Sequence, residues 1–133
     1  MTVRIDHIGI VVADLAQAVE RFEPLFGVPD VMKELPDVGL RVAEFQAANV
    51  TIELLQYTDR GDVALARRTM GDRLGLNHVS VRVADVDATV AALARKGFEP
   101  MDGFPRQGSH GRVAFFHPDV VTGLLMEVCQ PDE

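Results

Sequence analysis

Apolar and other residues alternate along residues 4–12 and again along 76–83, the two-residue period of a strand with one buried face. In the first run Ile8, Ile10 and Val12 share one face, with His7 and Gly9 on the other. In the second run Val79, Val81 and Val83 share a face, and the opposite face carries the more polar set His78, Ser80 and Arg82. After each run the period lengthens to that of a helix. Leu15, Val19 and Phe22 form one stripe over about 15–26, and Val86, Val90 and Leu93 form another over about 86–96. Asp14 and Asp85 stand where an N-cap carboxylate accepts from the first free helical N–H groups, and Gly27 and Gly97 suit the helix stops. Short β-prone runs follow, about 31–35, 40–46 and 50–57 in the first half and about 98–102, 111–117 and 123–129 in the second.

Each half therefore reads βαβββ, and the halves are copies. Residues 5–14, IDHIGIVVAD, lie over residues 76–85, LNHVSVRVAD. An offset of 71 residues pairs His7 with His78 and still holds at Val19 with Val90 and Pro29 with Pro100. Agreement through strand, cap and helix marks two copies of one supersecondary unit. The expected organisation is a single domain over residues 1–133: module 1 at about 4–57, a linker at about 58–74 with a short helix near 62–70, and module 2 at about 75–130. The expected fold class is α+β, two βαβββ modules forming a curved mixed sheet.

The chain has 133 residues, 47% hydrophobic and 25% charged, enough for one globular core. No apolar run approaches the ~18 residues of a membrane span, and the start MTVRIDH lacks the apolar core of a secretory signal. The single cysteine, Cys129, excludes an internal disulfide and fits a reducing cytoplasm. A net charge of −7 argues against a nucleic-acid binder. With no Trp and one Tyr, stacking on bases is also disfavoured.

The repeat has a chemical echo at its end. TIELLQ (51–56) lies over LMEVCQ (125–130), so Glu53 and Glu127 are each set in an apolar strand and each followed three residues later by Gln. A carboxylate buried in a strand is costly without a partner. A lone strand histidine or glutamate is more often exposed or hydrogen-bonded than a ligand, but here the pair recurs at equivalent positions in both copies. His7, Glu53, His78 and Glu127 would together supply two imidazoles and two carboxylates if the copies close around a pseudo-twofold axis. That donor set suits a divalent Mn, Co, Ni, Fe or Zn ion.

With IDHIGIVVADL, VTIELLQ, GLNHVSVRVADVD, FPRQGSHGRVAFFHP and GLLMEV, the chain resembles the vicinal oxygen chelate superfamily, which includes glyoxalase I and the bleomycin-resistance proteins. Within it the likeness is to the methylmalonyl-CoA epimerases, most specifically in RQGSHGRVAFFHP. The resemblance implies a glyoxalase-like fold around a metal cleft, one divalent ion per chain (Co, Mn, Ni or Zn), an acyl-CoA substrate, a homodimer, and no nucleic-acid or membrane partner. It places His7, Glu53, His78 and Glu127 on the metal-ligand positions and the turn Gly108-Ser109-His110-Gly111 near the substrate. Three positions depart from the family pattern. Asn77 stands where a second histidine is common, Asp119 where a lysine would meet phosphates, and Val42 at the place of the second acidic base. Glu44, two residues on and on the same strand face, is the candidate replacement.

The implied reaction is epimerisation of methylmalonyl-CoA, or a related 2-substituted malonyl-CoA, through an enolate stabilised by the ion. Glu127 or Glu53 is then the first candidate base and Glu44 the second. Arg106 is a candidate contact for a substrate carboxylate or phosphate, and a surface residue otherwise. His110 and His117 read equally as loop and turn residues or as catalytic ones. Three rivals share the fold: a glyoxalase I-like lyase with the same four ligands, a small-molecule binding protein of the bleomycin-resistance type, and a ring-cleaving dioxygenase. The Gly-x-His-Gly turn favours the epimerase over the lyase. Retention of all four ligands with few aromatics disfavours the binding protein, and the shortness of the chain disfavours the dioxygenase.

Overall fold

Both halves fold as strand, helix and three further strands in a computed structural model that describes residues 3–58, 65–108, 110–118 and 121–132. Contacts cluster into two compact units, one spanning His7–Asn77 and the other joining Met1–Asp6 to His78–Glu133.

In the first unit, which β1 (Arg4–Val11) enters at His7, that strand leads through α1 (Leu15–Phe26) to β2 (Val31–Leu35), β3 (Leu40–Gln46) and β4 (Thr51–Tyr57), followed by α2 (Leu65–Met70). The strands lie in the order β2-β3-β4-β1. The first three pair antiparallel, and β1 runs parallel to β4 from His7↔Thr51 to Val11↔Leu55. A parallel pair needs a crossover, which α1 begins. The expected stripe is the buried one: Leu15 packs with Ala43, Phe45 and Leu54, and Ala18, Val19 and Phe22 close over them. Phe22, Phe26 and Phe45 form an aromatic cluster with ring centroids 5.3 to 5.7 Å apart. The linker helix is present as α2, although residues 62–64 of its expected span lie outside the described residues. Asn77 Nδ2 donates to the carbonyl of Met70 at 2.9 Å, which ties the end of α2 to the following strand.

In the second unit, which β5 (Gly75–Arg82) enters at His78, that strand leads through α3 (Val86–Ala94) to β6 (Arg106–Gln107), β7 (Gly111–Phe115) and β8 (Leu125–Pro131). The order is β5-β8-β7-β6, with β5 parallel to β8 and the rest antiparallel. Val86, Val90, Ala114, Phe116 and Val128 form its core. The mixture of parallel and antiparallel pairs agrees with the expected α+β class in both units.

The helix ends repeat as closely as the strands. Asp14 accepts from the N–H of Gln17 at 3.1 Å, and Asp85 from that of Ala88 at 3.0 Å. The glutamines that echo after Glu53 and Glu127 cap the same helices: Gln56 Oε1 accepts from Leu15 N at 2.7 Å, and Gln130 Oε1 from Val86 N at 2.9 Å. These satisfy N–H groups a helix start leaves orphaned. At the end of α3, Gly97 N bonds to Ala94 O and Phe98 N to Leu93 O, the Schellman arrangement. Its φ of +93° is one that glycine adopts without the Cβ penalty.

Three expected boundaries move. The strand expected at 98–102 is reduced to a single bridge, Pro100 with Phe116, and the paired strand lies later at β6. Proline has no N–H with which to extend a ladder. The strand expected at 111–117 ends at Phe115, followed by that bridge and Pro118. The strand expected at 123–129 runs instead over β8, because Leu124 N is taken by Thr122 Oγ1 in a local turn at 3.2 Å. Among the described residues no helix is long and apolar enough to cross a membrane.

Candidate active site

In the first unit the functional side chains stand on the sheet face away from α1. Ile10 and Val12 pack toward the helix, so alternation turns His7 to the other side of β1. On β4, Leu54 faces the helix and Glu53 does not. Gly9 is the register partner of Glu53. His7 Nε2 lies 3.7 Å from Glu53 Oε1, both side chains largely buried.

Glu44 is the direct antiparallel partner of Glu53. Like charges set opposite one another destabilise a sheet unless cations offset them. Lys33 on β2 supplies one, with Nζ 3.2 Å from Glu44 Oε2. Both residues are at least partly shielded from water, and Glu44 is buried. Val42, expected at the place of the second acid, is itself buried on the same face as Glu44. Lys33 was not anticipated from the sequence. Its signal was a lone cation at an inward position of the alternating run VMKEL.

In the second unit the corresponding face carries His78 and Ser80 on β5, Glu127 on β8 and Phe115 on β7. Ser80 and Phe115 flank Glu127 in register on its two sides. His78 is 3% exposed and Glu127 5%, and each offers a ligand atom within 4.8 Å of the other's. A carboxylate this deep requires a compensating charge or hydrogen-bond donors. The His78 ring meets Phe115 edge-on, centroids 5.1 Å apart, and Phe104 in turn braces Phe115 at 5.4 Å. That aromatic wall fixes the imidazole and was not anticipated either. Arg106 pairs with Val113, which pairs with Cys129, so Arg106 belongs to the same face as Glu127. It is half-buried and has no ion-pair partner among the described residues.

After β6, Gly108 N donates to Gly111 O at 2.7 Å, and His110 O accepts from Asp132 N at 2.7 Å. His110 and His117 are exposed, whereas Ser109 and Asp119 lie outside the described residues. Gly111 is required by packing. A Cβ there would fall 2.1 Å from Gln130 O, 2.7 Å from Pro131 Cα and 2.9 Å from Asp132 N, all backbone. Gly111→Ala is expected to wedge β7 from β8 and lower Tm by ~5 °C or more, read by thermal denaturation. An unchanged Tm would show that the strands yield freely.

The donor set fits a divalent ion: neutral imidazoles and carboxylates, with a His–carboxylate pair in each unit. Chemically, each unit offers an imidazole beside a carboxylate, partly buried in the first and buried in the second, and the first adds a buried carboxylate paired with an ammonium group.

Known proteins resemble this chain over most of its length. The model of the glyoxalase/bleomycin resistance protein/dioxygenase superfamily matches residues 6–116. The chain is 33% identical over 131 residues to the uncharacterized protein YqjC of Bacillus subtilis (strain 168), covering 96% of this chain and 92% of that one. It is 28% identical over 130 residues to the mitochondrial methylmalonyl-CoA epimerase of Mus musculus, covering 96% of this chain and 72% of that one. Among solved structures, a methylmalonyl-CoA epimerase in complex with methylmalonyl-CoA and NH4+ matches with a TM-score of 0.78 at 31% identity, over 98% of this chain and 96% of that one.

Proposed function

Since the chain belongs to the glyoxalase/bleomycin resistance protein/dioxygenase superfamily, we propose that it is an isomerase acting on methylmalonyl-CoA or a related 2-substituted malonyl-CoA. On this reading it inverts the carbon between thioester and carboxylate by proton exchange. The observation that carries the proposal is the likeness, over nearly the whole chain, to an epimerase solved with methylmalonyl-CoA.

The chemical task is to take a weakly acidic proton from that carbon and return one to the opposite face. On this proposal His7, Glu53, His78 and Glu127 hold one divalent ion. When bound, the ion supplies Lewis-acid stabilisation of charge developing on the thioester and carboxylate oxygens. The rest is the work of side chains. Glu127, buried beside His78, is the first proton acceptor. Glu44 is the second: Lys33 pairs with it and orients it, and it stands beside Glu53 on the same face. Two carboxylates, one in each unit, provide the pair of proton carriers that inversion requires. Phe115 and Phe104 exclude water around His78. Arg106, without an internal acid partner among the described residues, meets the substrate carboxylate or a phosphate.

A substrate panel tests the assignment. Metal-loaded protein is expected to invert one epimer of methylmalonyl-CoA and to leave glutathione hemithioacetals unchanged. Turnover of the hemithioacetal alone would reassign the chain to a glyoxalase I-like lyase.

A further inference from the structure

Ser80 is fully buried, 0% exposed, and its Oγ has no hydrogen-bond partner among the described residues. A hydroxyl in that state destabilises a fold, since it has lost water and gained nothing in exchange. Nothing in the core calls for it: Ser80 lies on the face away from α3, where Val81 and Val83 of the same strand pack toward the helix. On its own face it sits between chemically active neighbours. His78 is two residues earlier on β5, and Glu127 is its direct partner on β8. Adjacent strands run about 5 Å apart, so a rotation about the Ser80 Cα–Cβ bond turns the hydroxyl toward the Glu127 carboxylate.

We infer that Ser80 is a positioning residue for Glu127, donating its hydroxyl proton to the carboxylate when that group is committed as an ionised ligand or proton acceptor. With no solvent exposure, Ser80 does not reach substrate itself and acts only through its neighbour. Carboxylates that ligate metals are themselves held by hydrogen bonds, and losing such a bond costs ~10–100-fold in metal affinity or activity. The inference rests on the proposed reading of Glu127 as a metal ligand and goes beyond it, because it assigns a role to a residue that neither binds the ion nor touches substrate.

The test uses Mn2+ as the probe, with free Mn2+ followed by electron paramagnetic resonance, and Tm measured on the metal-free protein. Wild type is expected to bind one ion per chain. Ser80→Ala is expected to weaken that binding by ~10-fold or more while its metal-free Tm stays within ~2 °C of wild type or rises, because the variant sheds an unsatisfied hydroxyl. Ser80→Cys, similar in size but a weak donor, is expected to follow Ser80→Ala in affinity. Wild-type affinity in either variant, or a lower affinity accompanied by a clearly lower Tm, would overturn the positioning role. A wild type that binds no Mn2+ would instead overturn the ligand assignment of Glu127, and with it the inference.

Discussion

Glu127→Gln is expected to fold, to load metal at saturating concentration, and to lose ~10²-fold or more in kcat. The carboxylate is 5% exposed on β8, flanked by Ser80 and Phe115, with His78 in ligand range. Glutamine keeps its size and one acceptor oxygen, so packing against Phe115 survives. It neither takes up a proton nor carries the charge. Weakened metal binding would mimic the loss of a base, so occupancy is measured in the same samples as turnover. Near-normal turnover in a metal-loaded variant would remove Glu127 from the proton-transfer role and leave Glu53 and Glu44 as its carriers.

His7→Ala and His78→Ala are each expected to lower affinity for the divalent ion by ~100-fold or more, a larger loss than removal of an outer hydrogen-bonding residue produces. Each histidine stands beside a carboxylate in its own unit: His7 at 3.7 Å from the partly buried Glu53, His78 within 4.8 Å of the buried Glu127. Only the neutral imidazole ligates, so wild-type affinity is also expected to fall as pH drops far enough to protonate the ligands. Metal analysis after dialysis and a pH series of binding isotherms check both statements. Unchanged stoichiometry and affinity in both variants would eliminate the site.

The features legible in the sequence were the local and repeated ones. The turn from period two to period 3.6 at Asp14 and Asp85 located both helices, and both carboxylates cap as expected. The copy-to-copy match singled out His7, His78, Glu53 and Glu127, with strand alternation turning the two histidines away from the helices. It also flagged Gln56 and Gln130 without disclosing that each closes a helix start. What was illegible depends on register. The nearness of Lys33 to Glu44, the facing of Glu44 by Glu53, and the bracing of His78 by Phe115 all arise from cross-strand neighbours far apart in the chain. The strand expected at 98–102 failed for a different reason: its residues favour extension, yet Pro100 limits pairing to one bridge. Asn77, read as a departure from a family histidine, has a structural use of its own in fastening α2.

The most direct test of the account follows the proton itself. Metal-loaded protein is incubated in D2O with a single epimer of methylmalonyl-CoA, and C2 is followed by mass spectrometry together with chirality. The account predicts inverted product carrying deuterium at C2, formed only when metal is bound, with label concentrated in product if two carboxylates share the work. Neither inversion nor exchange at full metal occupancy would contradict it.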